Sequence, residues 1–195
     1  GGSTSAEAYA EFPKGMFDGR NKLTVQMDVK SEISANHFTF TFGQNTAKYY
    51  FLKYNSSGEL ASRITTGSYQ NEDAANATLT GNGAWHKVTV VLDDNTMTVY
   101  ADGAQVAQNT ATKNTVTDLG SNLLAYLGKS FYKDAYFKGS FDNVKVWNRA
   151  LAADEVAEAR PVQLQALSLI PSSAPTRPYD ISYAVFCVKK KKGGG

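Results

Sequence analysis

The stretch from Trp85 to Gly103 constrains this chain more than any other. Val88, Val90 and Leu92 alternate with Lys87, Thr89 and Val91. Met97 and Val99 then alternate with Thr96, Thr98 and Tyr100. Asp93-Asp94-Asn95 divides the two runs. Short Asx side chains bond their own backbone and tolerate left-handed dihedrals, so this tripeptide is a turn. Ala101-Asp102-Gly103 is a second turn, and its Asp-Gly pair is a strong hairpin signal. Alternation at period two between tight turns specifies antiparallel sheet with one buried and one wetter face.

The same pattern recurs along the chain. Residues 1–8 are small and polar and read as a turn or tag, and a short strand follows to Phe12, ended by Pro13. Lys14 to Asn21 reads as a loop. Leu23, Val25, Met27 and Val29 alternate with polar residues, as do Phe38, Phe40 and Phe42. Ala47–Tyr54 and Glu59–Thr66 pair across Asn55-Ser56-Ser57-Gly58, a turn rich in turn formers. Tyr69 to Gly83 is polar and reads as a long excursion at one end. Gln105–Gln108, Leu123–Lys129 and Lys138–Asn148 supply the last strands. About ten short strands at 8–12-residue spacing predict an all-β antiparallel sandwich or jelly roll over residues 9–150. Residues 151–160 read as one short C-terminal helix, with Leu151, Val156 and Ala159 toward the sheet and Asp154 and Glu155 at its N-terminus.

Composition narrows the class. The 195 residues are 42% hydrophobic and 19% charged, and the 11 Tyr and 10 Phe favour strand. A net charge of +2 gives no basis for a nucleic-acid or membrane partner, since four lysines cluster at 189–192. One cysteine, Cys187, leaves neither a disulfide framework nor a cysteine-based metal site within the chain. No signal peptide is visible at Gly1-Gly2-Ser3-Thr4-Ser5, and no apolar run approaches the ~20 residues of a membrane span. Beyond Arg160 the texture changes. Four of the five prolines lie at or after Pro161, and the chain ends Lys-Lys-Lys-Lys-Gly-Gly-Gly. Residues 161–195 are expected to be an irregular linker or disordered tail, or residues foreign to the domain.

Residues 9 to 156 carry a family resemblance. Its pieces are Tyr9-Ala10-Glu11-Phe12-Pro13-Lys14-Gly15, Leu23 to Lys30, Phe40-Thr41-Phe42-Gly43, Ile64-Thr65-Thr66 and Trp85 to Val90. Tyr100-Ala101-Asp102-Gly103, Leu127-Gly128-Lys129-Ser130 and Gly139 to Leu151 complete it. Together they resemble the LamG-like jelly-roll domains of the concanavalin A-like lectin/glucanase superfamily, of the type attached to bacterial secreted glycoside hydrolases such as arabinofuranosidases and arabinanases. The resemblance implies an extracellular or cell-surface location. It also implies one further strand before Tyr9, of which only Gly1-Gly2 remains, and so a fragment of a longer protein whose catalytic domain lies outside the chain.

Three chemistries are open to such a domain. Glucanases of this superfamily set paired carboxylates on one strand as Glu-x-Asp-x-(x)-Glu, and a retaining pair needs carboxyls about 5–5.5 Å apart. That run is absent here. Asp28, Glu32 and Glu59 are isolated, and Glu72 and Asp73 adjoin and so point to opposite faces. His37 and His86 accompany no Gly-x-Ser-x-Gly motif, and His86 reads as structural. The resemblance implies a structural calcium held by Asp142 with carbonyls of the N-terminal turn, a donor set that suits a hard cation. Sugar binding needs flat rings for apolar CH faces, with amides and charged groups for hydroxyls. Tyr49, Tyr50 and Tyr69, with Arg63, Asn71 and Glu72, form the best cluster, at the entry to the long polar loop. Trp85 and Trp147 read as core or interface.

The reading is therefore a non-catalytic carbohydrate-binding or accessory module of a glycoside hydrolase. Its partner is a plant-type polysaccharide or an adjoining catalytic domain. The alternative is a structural or adhesive spacer without a sugar site, which predicts Tyr50 and Tyr69 both buried. A stand-alone hydrolase ranks behind both.

Overall fold

In the computed structural model, which describes residues 1–4, 9–81 and 83–158, two antiparallel sheets face each other. The chain runs through β1 (Ala10–Glu11), β2 (Lys22–Ser31), β3 (Phe40–Gly43), β4 (Tyr49–Tyr54), β5 (Glu59–Thr65) and β6 (Asp73–Thr78). It continues through β7 (His86–Asp93), β8 (Thr96–Ala101), β9 (Ala104–Asn109), β10 (Leu124–Leu127) and β11 (Gly139–Trp147), and closes on α1 (Ala153–Glu158). One sheet has the order β1-β10-β3-β4-β5-β6 and the other β11-β2-β7-β8-β9. The expected all-β sandwich with one short C-terminal helix is what forms. The expected tail over 161–195, Cys187 and Ala159 lie outside the described residues.

The central hairpin keeps its predicted register. Val90 faces Val99 and Leu92 faces Met97, with Asp93 opposite Thr96 across a two-residue turn. Asp94 takes φ 51°, and Asp102 and Gly103 take φ 52° and 82°. At Asp102-Gly103 both central residues are left-handed, which matches the right-handed twist of the strands they join. His86 Nδ1 bonds the Asp102 carboxylate at 2.8 Å, and the Lys87 N–H donates to its other oxygen at 2.9 Å. His86 thus ties the start of β7 to the next turn, a structural role.

Alternation sorts the side chains by face. Leu23, Val25, Met27 and Val29 of β2 and Val88, Val90 and Leu92 of β7 meet Phe40, Phe42, Tyr50, Leu52 and Tyr54 from the other sheet, all buried in one core. The loop at 14–21 is more than a connection. It drives Phe17 into this core, stacked on Phe42 at 4.9 Å and edge-on to Phe40 at 5.6 Å. Outside the five-stranded sheet, Leu151 and Val156 cover Val91 and Tyr100, and Trp147 packs against them. Thr24 fastens that end, donating to the Arg149 carbonyl at 2.9 Å and accepting from the Leu151 N–H at 3.0 Å.

Three local expectations change. The excursion after Tyr69 contains β6, an edge strand hydrogen-bonded to β5. Its sequence, DAANAT, buries Ala75 and has no large apolar side chain to mark a face. Phe38 does not share the inner face with Phe40. The strand begins at Phe40, and Phe38 joins a separate outer cluster with Tyr49, Phe51 and Ala61. Trp85, expected in core or interface, is 50% exposed.

His37 is buried beside the turn between β2 and β3, stacked on Phe137 at 4.5 Å. Its Nδ1 accepts the Lys138 N–H at 3.1 Å, and its Nε2 meets Ser31 Oγ at 2.9 Å. Burial, reinforced by the charge of Lys53 and opposed by the Tyr54 backbone, lowers its pKa to about 4. The unfolded chain therefore binds this proton more readily than the folded one. Stability is full above the unfolded value near 6.5 and falls as pH drops toward 4, by about 1.4 kcal/mol per unit. Urea midpoints at neutral and acid pH are expected to differ less in His37→Gln than in the unsubstituted protein. An equal difference would show that folding leaves the affinity of His37 for its proton unchanged.

Candidate functional site

The outer face of the six-stranded sheet carries the groups that sequence reasoning brought together, and they gather in one groove. Tyr49, Phe51 and Lys53 alternate along β4, and Arg63 stands on β5 opposite Phe51. Because β4 is paired on both sides, its outward side chains hold fixed positions. Tyr132 and Asp134 arrive from the loop between β10 and β11. Tyr69 arrives from the loop after β5. Together with Asn36, Phe38 and Glu72 these residues line a groove of about 350 Å³.

The floor is aromatic and the head is polar. Phe38 meets Phe51 edge-on at 4.7 Å, and Tyr49 meets Tyr132 edge-on at 5.7 Å. The Arg63 guanidinium lies 5.9 Å from the Phe51 ring centre. Glu72 organises the head: one carboxylate oxygen accepts the Tyr49 hydroxyl at 2.6 Å, and the other accepts Arg63 Nη1 at 2.8 Å. Burial, and then the bond to Glu72, raise the Tyr49 hydroxyl far above the ordinary tyrosine value. It remains a proton donor at any physiological pH.

The loop that presents Tyr69 is tied to the Thr65 hydroxyl through its backbone. Thr65 Oγ1 donates to the carbonyls of Ser68 and Asn71 at 3.0 and 3.1 Å, and the Gly67 N–H returns to Thr65 Oγ1 at 3.0 Å. Ser68 takes φ 67°. Tyr69 is left 64% exposed at the tip, the most exposed large apolar side chain among the described residues.

Of the six residues expected to touch sugar, Tyr49, Arg63, Tyr69 and Glu72 converge and two do not. Tyr50 points the other way. It is fully buried between the sheets, with its hydroxyl 2.8 Å from Ser62 Oγ, and cannot meet a ligand. Neighbours in a strand face opposite sides, so Tyr49 and Tyr50 were never able to share a site. Asn71 folds its own loop: its amide donates to the Gly67 carbonyl at 3.0 Å, and it does not line the groove. Phe51 and Lys53 were missed, although they follow Tyr49 at period two. Tyr132 and Asp134 carried no signal, because only the fold brings them near.

The carboxylate of Asp142, expected to hold calcium, stands on the edge strand of the five-stranded sheet. Asp142 lies on the outer face beside Asp28, its partner in register. Its carboxylate accepts the Asn143 N–H at 2.8 Å, and Asp28 is engaged by Lys87 at 2.8 Å and Asn143 Nδ2 at 2.7 Å. Gly2 runs instead along Tyr136, to whose carbonyl its N–H donates at 2.7 Å. Among the described residues no three His, Cys, Asp or Glu side chains gather to hold a metal.

A second cavity, of about 710 Å³, opens between β1 and β11. Phe12, Leu127, Phe137, Phe141 and Val144 give it an apolar wall, and Glu11, Glu32 and Lys138 also line it. Among the described residues no helix is long and apolar enough to cross a membrane.

Two facing antiparallel sheets, with aromatic and polar side chains assembled on one outer face, make a lectin-type β-sandwich. The chain belongs to the concanavalin A-like lectin/glucanases superfamily, whose family model matches residues 4–157. It is 28% identical to an alpha-L-arabinofuranosidase of Bifidobacterium longum subsp. longum, over 73% of this chain and 15% of that protein. The chain thus spans less than a sixth of that relative. Among solved structures it resembles domain 4 of AbnA, a GH43 extracellular arabinanase from Geobacillus stearothermophilus, in complex with arabinotriose. The TM-score is 0.58 and the identity 22%, over 76% of this chain and 70% of that one. It also resembles the CBM40 of the Ruminococcus gnavus IT-sialidase bound to alpha2,3 sialyllactose. There the TM-score is 0.64 and the identity 14%, over 82% of this chain and 100% of that one.

Proposed function

We propose that this domain is a non-catalytic carbohydrate-binding module of a secreted glycoside hydrolase, and that the groove on the outer face of the six-stranded sheet is its sugar site. The observation that carries the reading is the groove itself. An exposed tyrosine, a fixed Arg–Glu–Tyr hydrogen-bonded head and the amide of Asn36 meet in a space of about 350 Å³. That is within the roughly 300–1,000 Å³ of small-molecule sites. Tyr69 offers a flat apolar face to a sugar's CH groups, and the head offers donors and acceptors to its hydroxyls. The arabinofuranosidase relative and the arabinanase domain support an arabinose-containing, plant-type polymer as the first ligand to try. Packing against an adjoining catalytic domain is the companion role. The spacer reading predicts Tyr50 and Tyr69 both buried; Tyr50 is buried, whereas Tyr69 is 64% exposed at the groove.

Titration calorimetry with arabinan and xylan oligosaccharides tests the proposal. Binding is expected, and Tyr69→Ala is expected to weaken it at least about tenfold, or about 1.4 kcal/mol, the order of one stacking ring. A folded sample that gives no heat with either polymer series overturns the proposal.

A further inference from the structure

Every charged side chain that lines the groove is already hydrogen-bonded. Arg63 Nη1 is held by Glu72 at 2.8 Å, and Lys53 Nζ by Glu59 at 2.6 Å and Asn36 Oδ1 at 3.1 Å. Asp134 accepts from Asn36 Nδ2 and Ser130 Oγ, both at 2.9 Å. The lining therefore holds two cations, Lys53 and Arg63, against two anions, Glu72 and Asp134.

The arrangement at the head has a direct chemical meaning. A guanidinium and a phenol hydroxyl, side by side, make a receptor for a carboxylate. Here both donors converge on Glu72, whose side chain is only 7% exposed. The protein's own carboxylate sits where the acid group of a uronic or sialic acid would be received. An acidic sugar would have to displace a buried, doubly bonded glutamate or lie beside two carboxylates with no unpaired lining cation. The first forfeits the bonds of Glu72 to Tyr49 and Arg63 and the second adds like-charge repulsion, so both disfavour an acidic ligand relative to a neutral one of similar shape.

We propose that Glu72 restricts this groove to uncharged glycans, excluding uronates and sialosides, by occupying the anion-receiving position formed by Arg63 and Tyr49. The proposal rests on the reading of the groove as the sugar site. Glu72 is then a specificity-determining residue, and the uncharged hydroxyls of pentose or hexose polymers are what remain for Tyr69, Asn36 and the head to recognise.

The test is a binding comparison on the intact chain, with arabinotriose, xylotriose and galactotriose as neutral probes and trigalacturonate and sialyllactose as acidic ones. The best neutral probe is expected to bind at least about tenfold tighter than either acidic one. Its affinity is expected to change little between about 50 and 500 mM salt, since no net charge is neutralised. Glu72→Gln keeps an acceptor for Tyr49 but frees the Arg63 charge. It is expected to raise affinity for an acidic probe about tenfold, with that gain disappearing at high salt. An unsubstituted protein that binds acidic probes as well as neutral ones overturns this inference and leaves the glycan reading intact. An unchanged neutral-to-acidic ratio in Glu72→Gln overturns the role of Glu72. No binding of any probe by a folded sample overturns the glycan reading, and the inference with it. The comparison on the unsubstituted protein needs no variant to fold.

Discussion

Phe17→Ala is expected to cost about 3–5 kcal/mol of stability, the range for truncating a buried aromatic. For a domain of this length that lowers the melting temperature by roughly 6–20 °C. The side chain is fully buried although it stands in a loop, and it contacts Phe12, Phe40 and Phe42 together. The loop cannot collapse to fill the vacated space. Asp18 accepts the backbone N–H groups of Asn122 and Leu123 at 2.7 and 3.0 Å, and the Gly15 N–H donates to the Leu123 carbonyl at 2.9 Å. Lys14→Ala, an exposed change in the same loop, should stay within about 0.5 kcal/mol. Paired urea denaturation curves make the comparison. A Phe17→Ala loss below about 1 kcal/mol would mean that the loop opens without disturbing the core.

Glu72→Ala carries the second large effect, expected at about 2–3 kcal/mol. Two donors lose their acceptor at once. The Tyr49 hydroxyl is nearly enclosed and keeps most of the desolvation penalty of an unpaired group, about 1–3 kcal/mol. Arg63 is 31% exposed in its side chain, so water recovers part of its loss. Glu72→Gln retains one acceptor and should cost about 1 kcal/mol, as should Tyr49→Phe. The order Ala above Gln is the diagnostic result in thermal or urea unfolding. Equal losses would mean that the ion pair with Arg63, which both changes remove, carries the whole effect, and that neither the packing of the side chain nor the bond from Tyr49 adds to it.

Much of this architecture is legible in the order of residues, and the gaps have physical causes. The alternation over 86–101 reads clearly because one face is buried and the other is wetted, so polarity reports geometry. The strand at 73–78 is invisible, because alanine and short polar side chains mark neither face. The site was half legible for a related reason. Period two says that Tyr49 and Tyr50 face opposite ways, yet both are large, amphipathic and nearly buried, so polarity does not say which one faces the core. Asn71 looked like a ligand donor because an amide in a polar loop serves equally well to fold that loop. Tyr132 and Asp134 join the groove from about eighty residues beyond β4, and no local pattern carries such a contact.

The open edge of the five-stranded sheet has a consequence for behaviour in concentrated solution. Among the described residues, β11 is a nine-residue strand paired on one side only, with all of its residues exposed or half-exposed. A strand of that length with a free rim invites a second molecule to extend the sheet. Its ladder to β2 breaks between Asp142 and Lys145, where Asn143 turns left-handed at φ 49°. The rim is thereby cut into two short, differently angled pieces, and Lys138 and Lys145 stand exposed along it. Neither piece is a straight template for another strand. A kink that occupies two residues guards the molecule against edge-to-edge strand addition without adding to its core.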